Sequence, residues 1–203
     1  MADNYVLLVE GKDDDSVFFH LARHHQIQDQ ITIRKKDGFS LLVGDLDVEL
    51  DASGLERLGI VVDADVDLNA RWQSVRDRLL SCAYHNLPAA LTPEGVLIEE
   101  PDRPTVGVWI MPDNTGSGML EDFVRSLVPN DDLLWERAEN CVNEIPVQAR
   151  RFSSMSKAYI HTWLAWQEEP GTLMGSAINQ HYLDADAPTA LQFISWIRRL
   201  FDL

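Results

Sequence analysis

Two short segments hold acidic residues at spacings that suit chemistry. VEGKDD, residues 9–14, sets Glu10 and Asp14 on either side of a glycine. VVDADVD, residues 61–67, sets Asp63, Asp65 and Asp67 at alternate positions. Alternate side chains of an extended chain share a face, so Asp63 and Asp65 are expected to bind one ion together. Carboxylates gathered at one point repel one another; they either take up protons or bind a cation. Oxygen donors with no His or Cys nearby favour magnesium or manganese over zinc. An acidic loop that merely caps the following helix is the competing expectation.

Other sites with similar spacing fit less well. An EF-hand loop needs Gly after its third acidic position and Glu at its twelfth; Leu68 and Ser74 stand there. A haloacid-dehalogenase-type phosphotransferase places its Asp-x-Asp on the first strand, whereas this one falls on the third. VEGKDD lacks the glycines of a phosphate-binding loop.

A second tier of candidates surrounds these. Glu121, in GMLEDF, follows Gly116-Ser117-Gly118 and opens a helix, with Asp113, Asn114 and Asp122 close in sequence. Lys157 begins a helix, where the dipole disfavours a cation; either another interaction rewards it or it is a solvated surface lysine. His24 and His25 are adjacent and are not expected to share a helical face as ligands. His161 is expected to be solvated or satisfied. Trp163, Trp166 and Trp196 are expected in the core. Arg150, Arg151 and Lys157 form a small basic strip.

The elements that must position these residues follow from periodicity. Residues 5–9, YVLLV, read as a buried strand ending at Glu10. Val17, Phe18 and Leu21 then mark a helix with three aspartates in its first turn. Residues 31–35 alternate as a strand, and Phe39, Leu42, Val43 and Leu46 give one helical stripe. Residues 59–62, GIVV, form a buried strand ending at Asp63, and Trp72, Val75, Leu79 and Ala83 mark a helix. GVLIEE and TVGVWIM are two extended segments about a PDRP turn. Helices are expected after Gly118, with Leu120, Phe123, Val124 and Leu127 on one face, and over roughly 131–142, 156–167, 173–180 and 189–201. Strands alternating with helices imply an α/β, doubly wound, mostly parallel sheet, with a helical C-terminal extension. The expected division is a core over residues 1–128 and an extension over 129–203 packed on it as one unit. Ligands of such sheets bind at the carboxyl ends of the strands, where both Glu10 and Asp63 fall.

Composition limits what this site can serve. The chain has 203 residues and a formal charge of −16. Such a protein does not hold a polyphosphate by bulk electrostatics, so divalent ions or a basic partner must supply positive charge. No apolar run reaches the roughly 18 residues that span a bilayer, and MADNYVLLVEG does not read as a signal peptide. Cys82 and Cys141 match no metal spacing and are expected as buried free thiols in a cytoplasmic setting.

Taken together, VEGKDD and VVDADVD resemble the Toprim domain of topoisomerases, bacterial-type primases and OLD-family nucleases. That family carries Glu-Gly after its first strand and Asp-x-Asp after its third. Asp14, the Leu120-Glu121 pair and Lys157 match further positions of the OLD-type branch. The segments DGFSLL, IVVDAD, GVWIMPDN, MLEDF and KAYIHTWLA resemble small stand-alone OLD-like Toprim proteins. The chain is too short for a strand-passage apparatus, which separates it from the topoisomerase branch.

The resemblance implies a Toprim/Rossmann-like fold and a magnesium-dependent phosphodiesterase or nuclease acting on DNA or RNA. Glu10, Asp63 and Asp65 would hold one ion, with Asp67 adjoining. Asp14 and Glu121 would hold a second, roughly 4 Å away in two-metal chemistry. Lys157 would neutralise charge developing on the phosphorane. An ABC-type ATPase, often joined to OLD-like Toprim domains, is the implied partner. The alternatives are a metal-binding interaction or effector module without turnover, and primase-like nucleotidyl transfer.

Overall fold

A computed structural model describes residues 4–203. Strand β1 (Tyr5–Val9) is apolar on both faces: Val6 and Leu8 enter one core, Leu7 and Val9 the other, all fully buried. Such a strand needs cover on both sides. Helix α1 (Lys12–His24), strand β2 (Thr32–Lys35), helices α2 (Phe39–Gly44) and α3 (Leu46–Leu50), strand β3 (Arg57–Asp63) and helix α4 (Leu68–Ser81) follow. Strands β4 (Val96–Ile98) and β5 (Thr105–Met111) complete the sheet. Helices α5 (Leu120–Arg125), α6 (Leu133–Asn143), α7 (Met155–Ala165), α8 (Met174–Asn179) and α9 (Pro188–Phe201) make up the rest.

The sheet order is β2-β1-β3-β5-β4. β1, β2, β3 and β5 run parallel, and β4 pairs antiparallel with β5. This is a Rossmann-like doubly wound fold. The chain leaves β1 for β2 on one side and returns to β3 on the other. The crevice between the carboxyl ends of β1 and β3 is therefore the switch point, where such sheets bind ligands.

Helices α2–α4 cover the face that buries Leu58, Ile60 and Val62; α1 and α5–α9 cover the other. That second core joins Leu7 and Trp109 of the sheet to Trp163, Phe193 and Trp196 of the extension. Among the described residues, this one core spans both the 1–128 and the 129–203 ranges. Gly59 and Gly107 lie opposite each other on β3 and β5. A Cβ on Gly59 would stand 2.5 Å from Leu7 and 3.1 Å from Leu200, and one on Gly107 2.6 Å from Leu200. The missing side chains let α9 press onto the sheet, where Arg57 Nη1 donates to the Leu200 carbonyl at 2.6 Å.

Several local expectations are corrected. The stripe from Phe39 to Leu46 breaks into two helices at Asp45, which serves as the C-cap of α2 and the N-cap of α3. The strand in GVLIEE is only Val96–Ile98; Glu100 instead accepts from the His85 and Asn86 amides. Cys82 is buried at the end of α4, but Cys141 is exposed, because α6 turns Trp135, Ala138 and Val142 inward. Trp163 and Trp196 are core, whereas Trp166 ends α7 and is 41% exposed. Among the described residues, no helix is long and apolar enough to cross a membrane.

Candidate metal centre

Glu10 is the first residue after β1. Its Oε1 accepts the Asp63 amide at 2.9 Å, which ties the ends of β1 and β3 together. Asp63 is the last residue of β3, and its Oδ1 accepts the Leu120 amide at 2.8 Å, fixing the start of α5. Asp14 lies in the first turn of α1, where its Oδ2 accepts the Gly11 amide at 3.1 Å. Glu121 follows Leu120 in the first turn of α5. Glu10 and Asp63 thus lie at strand ends, and Asp14 and Glu121 in the first turns of the helices beside them, on the edge where doubly wound sheets bind ligands.

They converge on one cavity of about 250 Å³, lined by Glu10, Asp14, Asp63, Glu121 and Lys157 among others. Asp14 is 7% exposed and Glu121 3%. Burial and the neighbouring carboxylates of Asp14, Glu10 and Glu121 push Asp63 up to about 8. Burial, with Glu10 and Glu121 nearby, pushes Asp14 up to about 7. Burial also raises Glu10, partly offset by the Asp63 amide and Arg71. Asp14 Oδ1 is buried with no hydrogen-bond partner. Lys157 Nζ, on an exposed side chain of α7, stands 3.5 Å from Glu121 Oε1. The cation disfavoured by its helix dipole is therefore matched by a buried acid.

Asp65 and Asp67 stand differently. The chain does not stay extended after Asp63: Asp65 takes φ +53°, and its backbone exchanges two hydrogen bonds of 2.8 Å with Gly118. The alternate-face expectation for Asp63 and Asp65 does not hold. The Asp65 carboxylate pairs with Arg71, whose guanidinium sits 3.8 Å over the Phe39 ring. Asp65 borders a neighbouring hollow of about 210 Å³ rather than the acidic cavity. Asp67 caps α4, accepting the Ala70 amide at 3.0 Å.

The residues around Glu121 are mainly structural. Asp122 accepts from the Met119 amide and from Ser156 Oγ at 2.6 Å, joining α5 to α7. Buried Asn114 accepts the Ile110 amide, and Asp113 accepts from Thr115. Arg150 donates to the carbonyls of Ile145 and Asn143, while Arg151 is exposed. His161 is exposed as expected.

The donor set fits a hard divalent ion: four carboxylates, one with a buried orphan oxygen, and no nitrogen or sulfur ligand among the lining residues. Three ligand atoms within 4.8 Å of one another occur, among the described residues, only at His24, His25 and Asp186. The cavity carboxylates stand further apart, as mutual repulsion demands.

A family model described as "Protein of unknown function (DUF3226)" matches residues 4–202. No curated protein and no solved structure matches the chain.

Proposed function

The chain belongs to the DUF3226 family, and we propose that it is a Toprim-type, magnesium- or manganese-dependent phosphodiesterase acting on nucleic acid. The observation that carries this is the convergence of Glu10, Asp14, Asp63 and Glu121 on one cavity at the switch point. Buried carboxylates held together at a cost in repulsion are explained by a cation that relieves it. Glu10, Asp14, Asp63 and Glu121 would hold the metal, with Asp65 within reach of Glu10's field. A bound divalent ion supplies a Lewis acid and a more acidic water at neutral pH.

The chain's own residues define the remaining chemistry. Asp63, raised to about 8, can hold a proton at neutral pH and exchange it as the site fills. The backbone bonds to Glu10 and Asp63 fix both carboxylates before any substrate arrives, so little reorganisation is needed. Lys157 places an ammonium at the rim, where a phosphate oxygen can displace Glu121 from it. Arg71, held by Asp65 and Phe39 beside the cavity, is a second cation available to a phosphate.

The charge of −16 opposes the approach of a polyanion. A basic partner that grips the nucleic acid, such as an ABC-type ATPase, completes the proposal. The test is cleavage of single- and double-stranded DNA and RNA with manganese, with and without such a partner. Loss of cleavage in Glu10→Gln and Asp63→Asn is the expected result. Magnesium binding without turnover on any substrate would favour a non-catalytic module.

A further inference from the structure

Helix α1 carries a second constellation at its other end. His24 closes the last turn and His25 is its C-cap. His24 Nε2 lies 3.1 Å from Asp186 Oδ2, and one ligand atom each of His24, His25 and Asp186 falls within 4.8 Å of the others. Asp14 and His24 are ten residues apart, about 15 Å along a helix. The two groups cannot share an ion.

We propose that His24, His25 and Asp186 form a separate site for a borderline divalent transition ion, zinc foremost. Two imidazoles and one carboxylate suit zinc, and disfavour magnesium, which takes oxygen donors. Donors about 2.0–2.1 Å from a tetrahedral zinc lie about 3.3 Å from one another. His24 and Asp186 already stand at that separation, and the third atom must close by at most about 1.5 Å. His25 is also held in the manner of a ligating histidine. Its Nε2 lies 3.1 Å from the Ala185 carbonyl; a proton donated there leaves the lone pair on Nδ1. The exposed side chains of His24 and Asp186 can turn toward an ion without disturbing the core. Three protein ligands leave a position for water, and the ion would clamp the end of α1 to the loop before α9.

Calorimetric titration of the full chain with zinc, in excess magnesium to fill the carboxylate cavity, tests this. One zinc per chain is expected, with affinity falling about tenfold or more in His24→Ala and in Asp186→Asn. Glu10→Gln should leave zinc uptake unchanged, which separates this site from the cavity. Cobalt in place of zinc should give the intense absorption of a tetrahedral site. Equal zinc binding by wild type and both variants, loss in Glu10→Gln instead, or no stoichiometric uptake would overturn the proposal. Both substitutions lie on exposed side chains, and histidine ring resonances on zinc addition provide an independent readout.

Discussion

The two ends of α1 gather charge in opposite ways. At the first turn, Asp14 is 7% exposed and shares its cavity with five more carboxylates, Glu10, Asp63 and Glu121 among them. At the last turn, the side chains of His24 and Asp186 are 35% and 62% exposed and oppositely inclined in charge. Burial makes like charges expensive, because the low dielectric magnifies repulsion and removes hydration. Exposure makes an unlike pair nearly neutral in its effect on stability. The acidic end is therefore under tension without a cation, and the histidine end is not. The lesson is that burial, more than the number of acidic groups, marks where the fold depends on a ligand.

The largest expected effect comes from disturbing what holds both ends in place. A Cβ on Gly175 of α8 would lie 2.3 Å from Ser16 Oγ and 2.6 Å from the Ser16 backbone. Gly175→Val should therefore push α1 away and cost about 3 kcal/mol, seen as a lower urea midpoint. An unchanged midpoint would mean that α1 is not anchored there.

Next in size is the ion itself. Glu10→Gln combined with Asp14→Asn should weaken magnesium binding by about a hundredfold, or ~2.7 kcal/mol. Calorimetry showing the wild-type affinity would remove the acidic end from consideration as a metal centre.

Third is pH. Asp63, whose carboxyl ordinarily titrates at 3.8, is raised to about 8 in the folded chain, so between these the folded chain holds a proton that the unfolded chain has lost. Stability should thus fall as pH rises through this window. In chelator, moving from pH 8 to pH 6 should stabilise the protein by about 2 kcal/mol through Asp63, and Asp14, raised to about 7, adds in the same direction. Saturating magnesium should flatten this dependence, because the ion takes the proton's place.

A smaller effect distinguishes repulsion from anchoring. Asp63→Asn keeps the oxygen that accepts the Leu120 amide while removing the charge. In chelator at pH 8 it should melt about 2–4 °C above wild type. Asp63→Ala orphans that amide and should show no such gain. Smallest of all, His24→Ala in the absence of zinc should change stability by no more than about 0.5 kcal/mol. A much larger loss would show that the exposed pair is structural in its own right.

Glu10 and Asp63 were legible in the sequence because each ends an apolar run, and a doubly wound sheet brings such ends together. The placement of Asp65 was not, since its left-handed backbone is set by bonding to Gly118, a residue far along the chain. The pairing of His24 with His25 was hidden for a similar reason. His25 caps the helix with φ −88° and ψ 8°, so the angular spacing of helical neighbours no longer governs it. Their third member, Asp186, is distant in sequence. Cys141 stands about a quarter turn from the stripe Trp135, Ala138 and Val142, at the edge of the inward face, so periodicity alone left its exposure open.

The closeness of α9 to the glycine pair on β3 and β5 also bears on how the protein is made. During synthesis Gly59 and Gly107 emerge long before Leu200, the residue that covers them. Until α9 (Pro188–Phe201) arrives, the part of that face around Gly59, Gly107 and Trp109 lacks its cover and is open to chaperones or to a neighbouring chain. Stalled translation products that contain every strand would therefore be sticky rather than merely incomplete.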